Sequence, residues 1–279
     1  MPNLACASAA TGRVLAEQKA GSSFLLRTLS AVVLIPLALY VILSGGWLLA
    51  AVILAFAGMM TYEWSMMTQR AVSIPAVLAV VAPLSGAMIA FLTGIGPLVL
   101  LAGIAAAALL AATVSAMERR SALWPTLGAF YVTLPAVSIL WLREGITLGH
   151  EFTVALFVVV WATDIGAYLV GRLVGGPKLA PRISPKKTWS GLAGGMLAAA
   201  LALTAMGWFY GLGIYPWFLL FGAFFAVWGQ IGDLAESAIK RRFNVKDSGA
   251  IIPGHGGILD RVDGLVFVAP VVALMMIAG

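Results

Sequence analysis

The sequence predicts an all-α, polytopic membrane protein with about nine transmembrane helices and its N-terminus in the cytoplasm. Of its 279 residues, 62% are apolar and only 10% are charged, and the mean hydropathy is +1.02. A soluble domain of this size has too little interior to bury so much apolar surface. The apolar residues also form continuous runs rather than alternating with polar ones, which excludes the strands of an outer-membrane barrel.

Apolar runs of about 20 residues, the length that crosses a bilayer, predict the individual spans. Residues 1–23 precede them as a mildly polar cytoplasmic tail that lacks the apolar core and cleavage site of a signal peptide. The predicted spans are 24–43, 46–62, 71–93, 97–116, 123–142, 152–172, 191–210, 215–232 and 264–278.

Basic residues orient these predicted spans. With a cytoplasmic N-terminus, all of the 17 Lys and Arg residues except Arg143 fall on the cytoplasmic side. Adding or removing one span scrambles this division, so the positive-inside rule supports both the number of spans and their orientation. The net charge of +6 is therefore assigned to cytoplasmic loops, and no nucleic-acid partner is expected.

The two halves of the chain differ in their polar residues. Residues 1–150 contain no Asp and only short loops, whereas every Asp lies beyond residue 160. The two long loops, predicted at 173–190 and 233–263, both fall on the cytoplasmic side. We therefore predict a scaffold of five helices over 24–150 and a catalytic membrane region of four helices over 151–279.

Asp164 is the first candidate functional residue, because it lies inside the sixth predicted span. A carboxylate at that depth is costly and commonly faces a functional cavity. Helical spacing puts Asp164, Tyr168 and Arg172 on one stripe that leads to the cytoplasm. The structural alternative is a buried Asp whose oxygens are satisfied by Tyr168 or by a neighbouring helix.

The loop after this span combines basic side chains with hydroxyl groups. Ser184 or Thr188 is suited to cap the next helix, and Lys186 and Lys187 lie between them. Together with the free N–H groups of a helix N-terminus, these side chains favour an anion site. Alternatively, the lysines are topology anchors attracted to anionic lipid headgroups.

The densest polar segment runs from Gly232 to Asp263. If the eighth helix continues past its predicted end, one of its faces carries Asp233, Glu236, Ser237 and Lys240. Glu236 and Lys240 also fit a purely structural i,i+4 ion pair. Carboxylates interleaved with Lys and Arg at a membrane surface suit a hard cation that bridges phosphate oxygens.

A glycine-rich turn around His255 follows in the same segment. Gly256 and Gly257 permit a ligand to approach the backbone closely. One histidine is too few for a zinc site, so the residues favour magnesium over zinc.

The order of residues from Ser237 onwards is specific enough to identify a resemblance. The run reads Ser237-Ala-Ile-Lys240-Arg241, then Lys246-Asp247, then Pro253-Gly-His255-Gly256-Gly257-Ile-Leu-Asp260-Arg261-Val-Asp263. It resembles the signature of phosphatidate cytidylyltransferases, also called CDP-diacylglycerol synthases. Asp164 with Tyr168, and the stretch 184–188, also look like features of that family. One position departs from the family pattern: Ser190 stands where a Glu is expected.

This resemblance implies an enzyme that transfers CMP from CTP to phosphatidate, releasing pyrophosphate, in phospholipid biosynthesis. It implies Mg²⁺ as cofactor, with room for a second cation, and an inner-membrane location with the active site facing the cytoplasm. The implied partners are CTP, phosphatidate and membrane lipids, and the abundant small-residue faces also fit a homodimer.

The same resemblance assigns roles to individual residues. The implied catalytic residues are Asp233, Asp260, Lys240 and Arg261. The implied metal ligands are Asp233, Asp260 and Asp263. The implied substrate-binding residues are Asp164, Tyr168, Ser184, Lys186, Lys187, Thr188, Ser237, Arg241, Lys246, His255, Gly256 and Gly257.

Three other functions stand beside this one. A transporter or channel with Asp164 as its ion site leaves the charged segment 233–263 without a role. A CDP-alcohol phosphatidyltransferase would carry an Asp-Gly-x-x-Ala-Arg motif, whereas Asp263-Gly264 is followed here by Leu-Val-Phe. A CTP-dependent lipid kinase is closest, and its product distinguishes it, because a kinase releases CDP rather than pyrophosphate.

Overall fold

Helices dominate the computed structural model of the chain, which describes residues 35–249 and 256–278. A short helix α1 (Ile35–Ser44) comes first, and eight further helices in the described residues are long and apolar enough to cross a membrane. These eight are α2 (Gly46–Gln69), α3 (Ile74–Leu92), α4 (Leu98–Met117), α5 (Leu123–Glu144), α6 (Gly149–Val174), α7 (Trp189–Phe209), α8 (Pro216–Arg242) and α9 (Leu259–Ala278).

The prediction of an all-α, polytopic membrane protein is confirmed. Helices α2 to α9 correspond in order to the second to ninth predicted spans. The first predicted span, 24–43, lies mostly outside the described residues, and α1 covers its second half. The nine-span count therefore stays a prediction.

The predicted loop 233–263 is wrong at both of its ends. Helix α8 continues to Arg242 and α9 begins at Leu259, so only residues 243–258 connect them. The polar side chains that suggested a loop are accommodated inside the helices because they bind one another, as Lys240 does with Glu236 four residues earlier.

A small antiparallel hairpin interrupts the helices between α6 and α7. Its strands are β1 (Lys178–Ala180) and β2 (Ser184–Thr188), with Lys178 opposite Thr188. At the end of β2 the Thr188 hydroxyl accepts a hydrogen bond from Gly191 N at 3.1 Å and caps α7. Of the two candidate caps, Thr188 is therefore the one that acts.

Side-chain contacts bring several connecting segments to one end of the bundle. Arg120 Nη1 donates to Gln69 Oε1 at 3.1 Å, which joins the segments after α4 and α2. Arg241 at the end of α8 points its Nε toward Ile183 O of the hairpin, at 3.5 Å. We call this end, which holds the ends of α2, α4, α6 and α8 and the hairpin, the polar end.

Glycines set the distance between α6 and α7. A Cβ added to Gly194 would lie 2.9 Å from Gly166 O, and one on Gly195 would lie 3.0 Å from Thr163 O. These distances leave almost no room for a side chain, so the two backbones lie against each other. This close packing fixes α6, which carries Asp164, against α7.

Candidate functional site

Three carboxylates from three different helices line one cleft near the polar end. Asp164 of α6, Asp233 of α8 and Asp263 of α9 surround a space of about 280 Å³, together with Thr163 and Gln230. Asp233 interacts electrostatically, and repulsively, with both other carboxylates. We call this group the open cleft.

One cation from the hairpin reaches the open cleft. Lys187 of β2 forms an ion pair with Asp233, and its side chain is only 17% exposed. Ser237, one turn further along α8, lies 3.5 Å from Asp233 through its hydroxyl oxygen. The hairpin thus places a positive charge at the site where the three carboxylates accumulate negative charge.

The donor set of the open cleft fits a hard divalent cation by its chemistry. Carboxylate, carboxamide and hydroxyl oxygens are the ligands that magnesium prefers. Within the part of the chain that the structure describes, no three Asp, Glu, His or Cys side chains converge closely enough to enclose an ion. The residues therefore suit such an ion by the chemistry of their oxygen atoms.

A second group of acidic residues lies beside the cleft and is fully engaged. Lys240 Nζ donates to Glu236 Oε1 at 3.1 Å and to Asp260 Oδ1 at 2.5 Å. The other oxygen of Glu236 accepts from the hydroxyl of Tyr131 on α5 at 2.8 Å. Glu236 is 0% exposed and Lys240 is 8% exposed. Such burial is tolerable because each charge has a partner.

Backbone groups complete this second group. Asp260 Oδ2 accepts from Ser248 N at 3.0 Å and from Gly257 N at 3.1 Å. Glu63 on α2 accepts from Ile258 N and Leu259 N, both at 2.9 Å. We call Glu63, Tyr131, Glu236, Lys240, Ser248 and Asp260 the closed network.

Sequence reasoning missed two members of the closed network, Glu63 and Tyr131. Glu63 fell just beyond the predicted end of the second span, whereas α2 continues to Gln69 and buries it. A usable signal was present, because Glu63 is the only acidic residue between positions 18 and 117. Tyr131 gave no comparable signal in an apolar run rich in aromatic residues.

The predicted metal ligands divide between the two groups. Asp233 and Asp263 line the open cleft, whereas the described contacts of Asp260 are with Lys240, Ser248 and Gly257 in the closed network. Asp164 also lines the cleft, while the Tyr168 hydroxyl accepts from Arg172 at 2.6 Å. The stripe predicted on α6 therefore has two parts with different partners.

The remaining predicted residues surround these groups at the polar end. Exposed positions are occupied by Lys186, Arg241, Lys246 and Arg261, while Ser184 is half-buried in β2. Gly256 has a φ of +81°, which favours glycine. A Cβ on Gly257 would lie 2.7 Å from Glu63 Oε2, so its close backbone approach is to the protein itself. His255 lies outside the described residues.

Ser190, where the family pattern has Glu, takes part in local hydrogen bonding. Its hydroxyl lies 3.0 Å from the Thr188 hydroxyl and also donates to Gly175 O. Ser190 therefore fastens the base of the hairpin to the end of α6.

Comparisons with known proteins show the family of the chain. The model of the cytidylyltransferase family matches residues 25–278. A phosphatidate cytidylyltransferase of Brucella suis is 50% identical over 159 residues, which are 54% of this chain and 56% of that protein. One of Staphylococcus saprophyticus is 41% identical over 170 residues, 61% of this chain and 65% of its own length. The chain thus matches about half the length of the Brucella relative. Because the family model spans almost the whole sequence, the chain belongs to the cytidylyltransferase family.

Proposed function

We propose that the chain transfers CMP from CTP to phosphatidate, giving CDP-diacylglycerol and pyrophosphate. Its family membership and the names of its relatives support this reaction. The observation that carries the proposal is the open cleft, where acidic oxygens and Lys187 meet inside an apolar bundle. A phosphorylated lipid can reach such a cleft from the bilayer while a nucleotide approaches from the polar end.

The proposed reaction exchanges one bond to phosphorus for another. A phosphate oxygen of phosphatidate attacks the α-phosphorus of CTP, and the bond from that phosphorus to the oxygen bridging to the β-phosphorus breaks. Pyrophosphate leaves with the electron pair. The attacking oxygen is already anionic, so no strong base is required and we assign none to His255. Positioning and charge neutralisation supply the catalysis.

Lys187 is the basic residue that we assign closest to the reacting phosphates. Its ion pair with Asp233 holds it at the cleft, and a phosphate oxygen is an equally suitable partner for its ammonium group. The exposed basic residues of the polar end would hold the rest of the triphosphate or the lipid phosphate. These are Lys186, Arg241, Lys246 and Arg261.

For the magnesium ion we assign Asp233 and Asp263 as ligands. When bound, this cation would neutralise charge on the phosphate oxygens. Asp164 and Gln230 supply the remaining oxygen donors of the cleft and are our candidates for a second cation. We reassign Asp260 to holding Lys240 and the segment before α9, because both of its oxygens already accept hydrogen bonds.

An assay with labelled CTP tests the reaction and separates it from its rivals. Purified protein in detergent should convert phosphatidate and CTP into labelled lipid and pyrophosphate when Mg²⁺ is present, and should fail with EDTA. Release of CDP with a phosphorylated lipid would instead identify a lipid kinase. Absence of any CTP-dependent product, with ion flux in vesicles, would favour the transporter alternative.

We also propose that the polar end faces the cytoplasm across the inner membrane. The positive-inside distribution of Lys and Arg supports this orientation. In a Cys6→Ser background, cysteines introduced at positions 120, 180 and 245 should resist an impermeant external reagent, whereas one at 147 should react. Labelling at 245 would contradict the orientation.

The expected homodimer would appear as twice the monomer mass in light scattering of the detergent-solubilised protein.

A further inference from the structure

Glu63 lies in the helix that was predicted to be scaffold, yet it contacts the segment that carries the signature residues. Its carboxylate is 1% exposed and accepts hydrogen bonds from Ile258 N and Leu259 N, both at 2.9 Å. A third donor, the Ser248 hydroxyl, lies 3.1 Å from Glu63 Oε2. One buried carboxylate therefore binds both ends of the segment between positions 248 and 259.

Two of these contacts, with Ile258 N and Leu259 N, satisfy N–H groups at the start of a helix. The first N–H groups of a helix lack intrahelical acceptors, and a carboxylate near a helix N-terminus is stabilised by the helix dipole. Glu63 plays that part for α9, although it comes from α2. Glu63 thereby fixes the start of α9 against α2.

The backbone around Glu63 is fitted closely to its carboxylate. A Cβ on Gly249 would lie 2.7 Å from Glu63 Oε1, and a Cβ on Gly257 would lie 2.7 Å from Glu63 Oε2. Both distances are shorter than any real side chain allows. Glycines at these two positions let the backbone close around Glu63, so a small displacement of the carboxylate would displace the backbone at Gly249 and Gly257 as well.

We propose that Glu63 is a positioning residue for CMP transfer, acting through the first turn of α9. That turn begins at Leu259 and carries Asp260, which binds Lys240. Asp263, which lines the open cleft, follows one turn later. By holding the start of α9, Glu63 fixes Asp263 relative to Asp233 on α8. This inference rests on the proposed function, because the geometry it protects is that of the proposed metal ligands.

The main test compares Glu63→Gln with a matched carboxylate at the other end of the bundle. Glu144 Oε1 accepts from Gly46 N at 2.6 Å at the start of α2, so Glu144→Gln neutralises another carboxylate that binds the backbone at a helix start, away from the cleft. A misplacement of about 1 Å can cost about a hundredfold in rate. We therefore expect Glu63→Gln to lower kcat about a hundredfold with little change in KM for CTP, while Glu144→Gln keeps the wild-type kcat.

Two outcomes would overturn the proposal. One is a kcat for folded Glu63→Gln within about threefold of the wild-type value, far from the hundredfold expected. The other is an equal loss of kcat in Glu144→Gln, which would mean that the loss follows general destabilisation. Hydrogen exchange of the peptide 256–262 supplies a readout that is independent of catalysis, and exchange there should accelerate in Glu63→Gln but not in Glu144→Gln.

A second variant covers the case in which Glu63→Gln does not fold. Glu63→Asp keeps the charge and both acceptor oxygens but withdraws them by one methylene, and we expect it to fold with reduced kcat and unchanged KM. Wild-type kcat in Glu63→Asp together with faster exchange at 256–262 would overturn the proposal. Failure of the proposed function is distinguishable, because it would appear as a wild-type protein that transfers no CMP.

Discussion

The open cleft and the closed network contain similar charged groups but differ in the hydrogen-bond donors around them. Each contains three carboxylates and one lysine: Lys187 serves the cleft, and Lys240 serves the network. In the closed network, backbone N–H groups and a tyrosine hydroxyl supply further donors. The number of hydrogen-bond donors, rather than formal charge, therefore distinguishes the carboxylates of the closed network from those of the open cleft.

The two groups share the helices α8 and α9. Asp233 and Lys240 lie two turns apart on α8, and Asp260 and Asp263 lie one turn apart on α9. Each helix therefore offers side chains to the cleft and also anchors side chains in the network. An anchor so close to a cleft side chain restricts the motion of that side chain, which suits the proposed reaction because it depends on positioning.

The largest expected effect comes from Asp233→Asn in the open cleft. Removing a carboxylate that holds the proposed cation should lower kcat roughly a thousandfold or more, and raised Mg²⁺ should not restore it. Folding should change little, because Asp233 is part of the less compensated group. The measurement is CMP incorporation per molecule of monodisperse protein.

Asp260→Asn provides the contrast for this first prediction. If Asp260 serves the closed network, this variant should lose thermal stability together with activity, whereas Asp233→Asn loses activity alone. A wild-type melting temperature for Asp260→Asn combined with a thousandfold loss of activity would return Asp260 to the metal site.

Lys240→Met should produce the largest loss of stability. It leaves Glu236 and Asp260 buried without the cation between them, and breaking a buried ion pair typically costs about 3 to 5 kcal/mol. Arg242→Met is the control, because Arg242 is exposed near the same helix end and contacts the ring of Trp124. Equal melting temperatures for the two variants would contradict the closed network as a stabilising unit.

The two neighbouring lysines of the hairpin should differ in their effect on catalysis. Lys187 is half-buried and paired at the cleft, whereas Lys186 is exposed. Losing one positioned donor to a developing charge lowers the rate about a hundredfold or more. We therefore expect Lys187→Ala to lower kcat by about that factor. Lys186→Ala should lower kcat less than about tenfold, because solvent screens an exposed charge. Equal losses would show that both lysines act only through overall charge.

Much of the fold could be predicted, because the length of an apolar span and the charge of a loop are set by the membrane. Neither requires knowledge of which side chains contact one another. Eight predicted spans correspond to helices, and Asp164 was found as an intramembrane carboxylate that lines a cleft. The ends of α8 and α9 could not be predicted in this way. Their charged residues look like a loop unless the partners are known, and the partners of Asp260 include a lysine twenty residues earlier.

The division of the site between two groups was beyond sequence reasoning for a related reason. Asp233, Asp260 and Asp263 are chemically alike in the sequence, and only the packing of α8 against α9 separates them. The role of Glu63 was hidden because its partners lie about 190 positions away and two of the three are backbone N–H groups. Backbone donors carry no residue identity, so no motif can reveal them.

The smallest expected effect tests the outermost contact of the closed network. The Tyr131 hydroxyl donates to Glu236 Oε2 at 2.8 Å, so Tyr131→Phe removes one donor and leaves the aromatic packing against Trp64 in place. An acceptor left unsatisfied in a buried site costs about 1 to 3 kcal/mol, which should lower the melting temperature. Activity should fall less than about tenfold, because Lys240 still holds the other oxygen of Glu236. Tyr62→Phe on α2 is the control, since Tyr62 is 45% exposed and should not alter the melting temperature. If Tyr131→Phe melts at the wild-type temperature, Glu236 does not depend on this contact, and the network ends at Lys240.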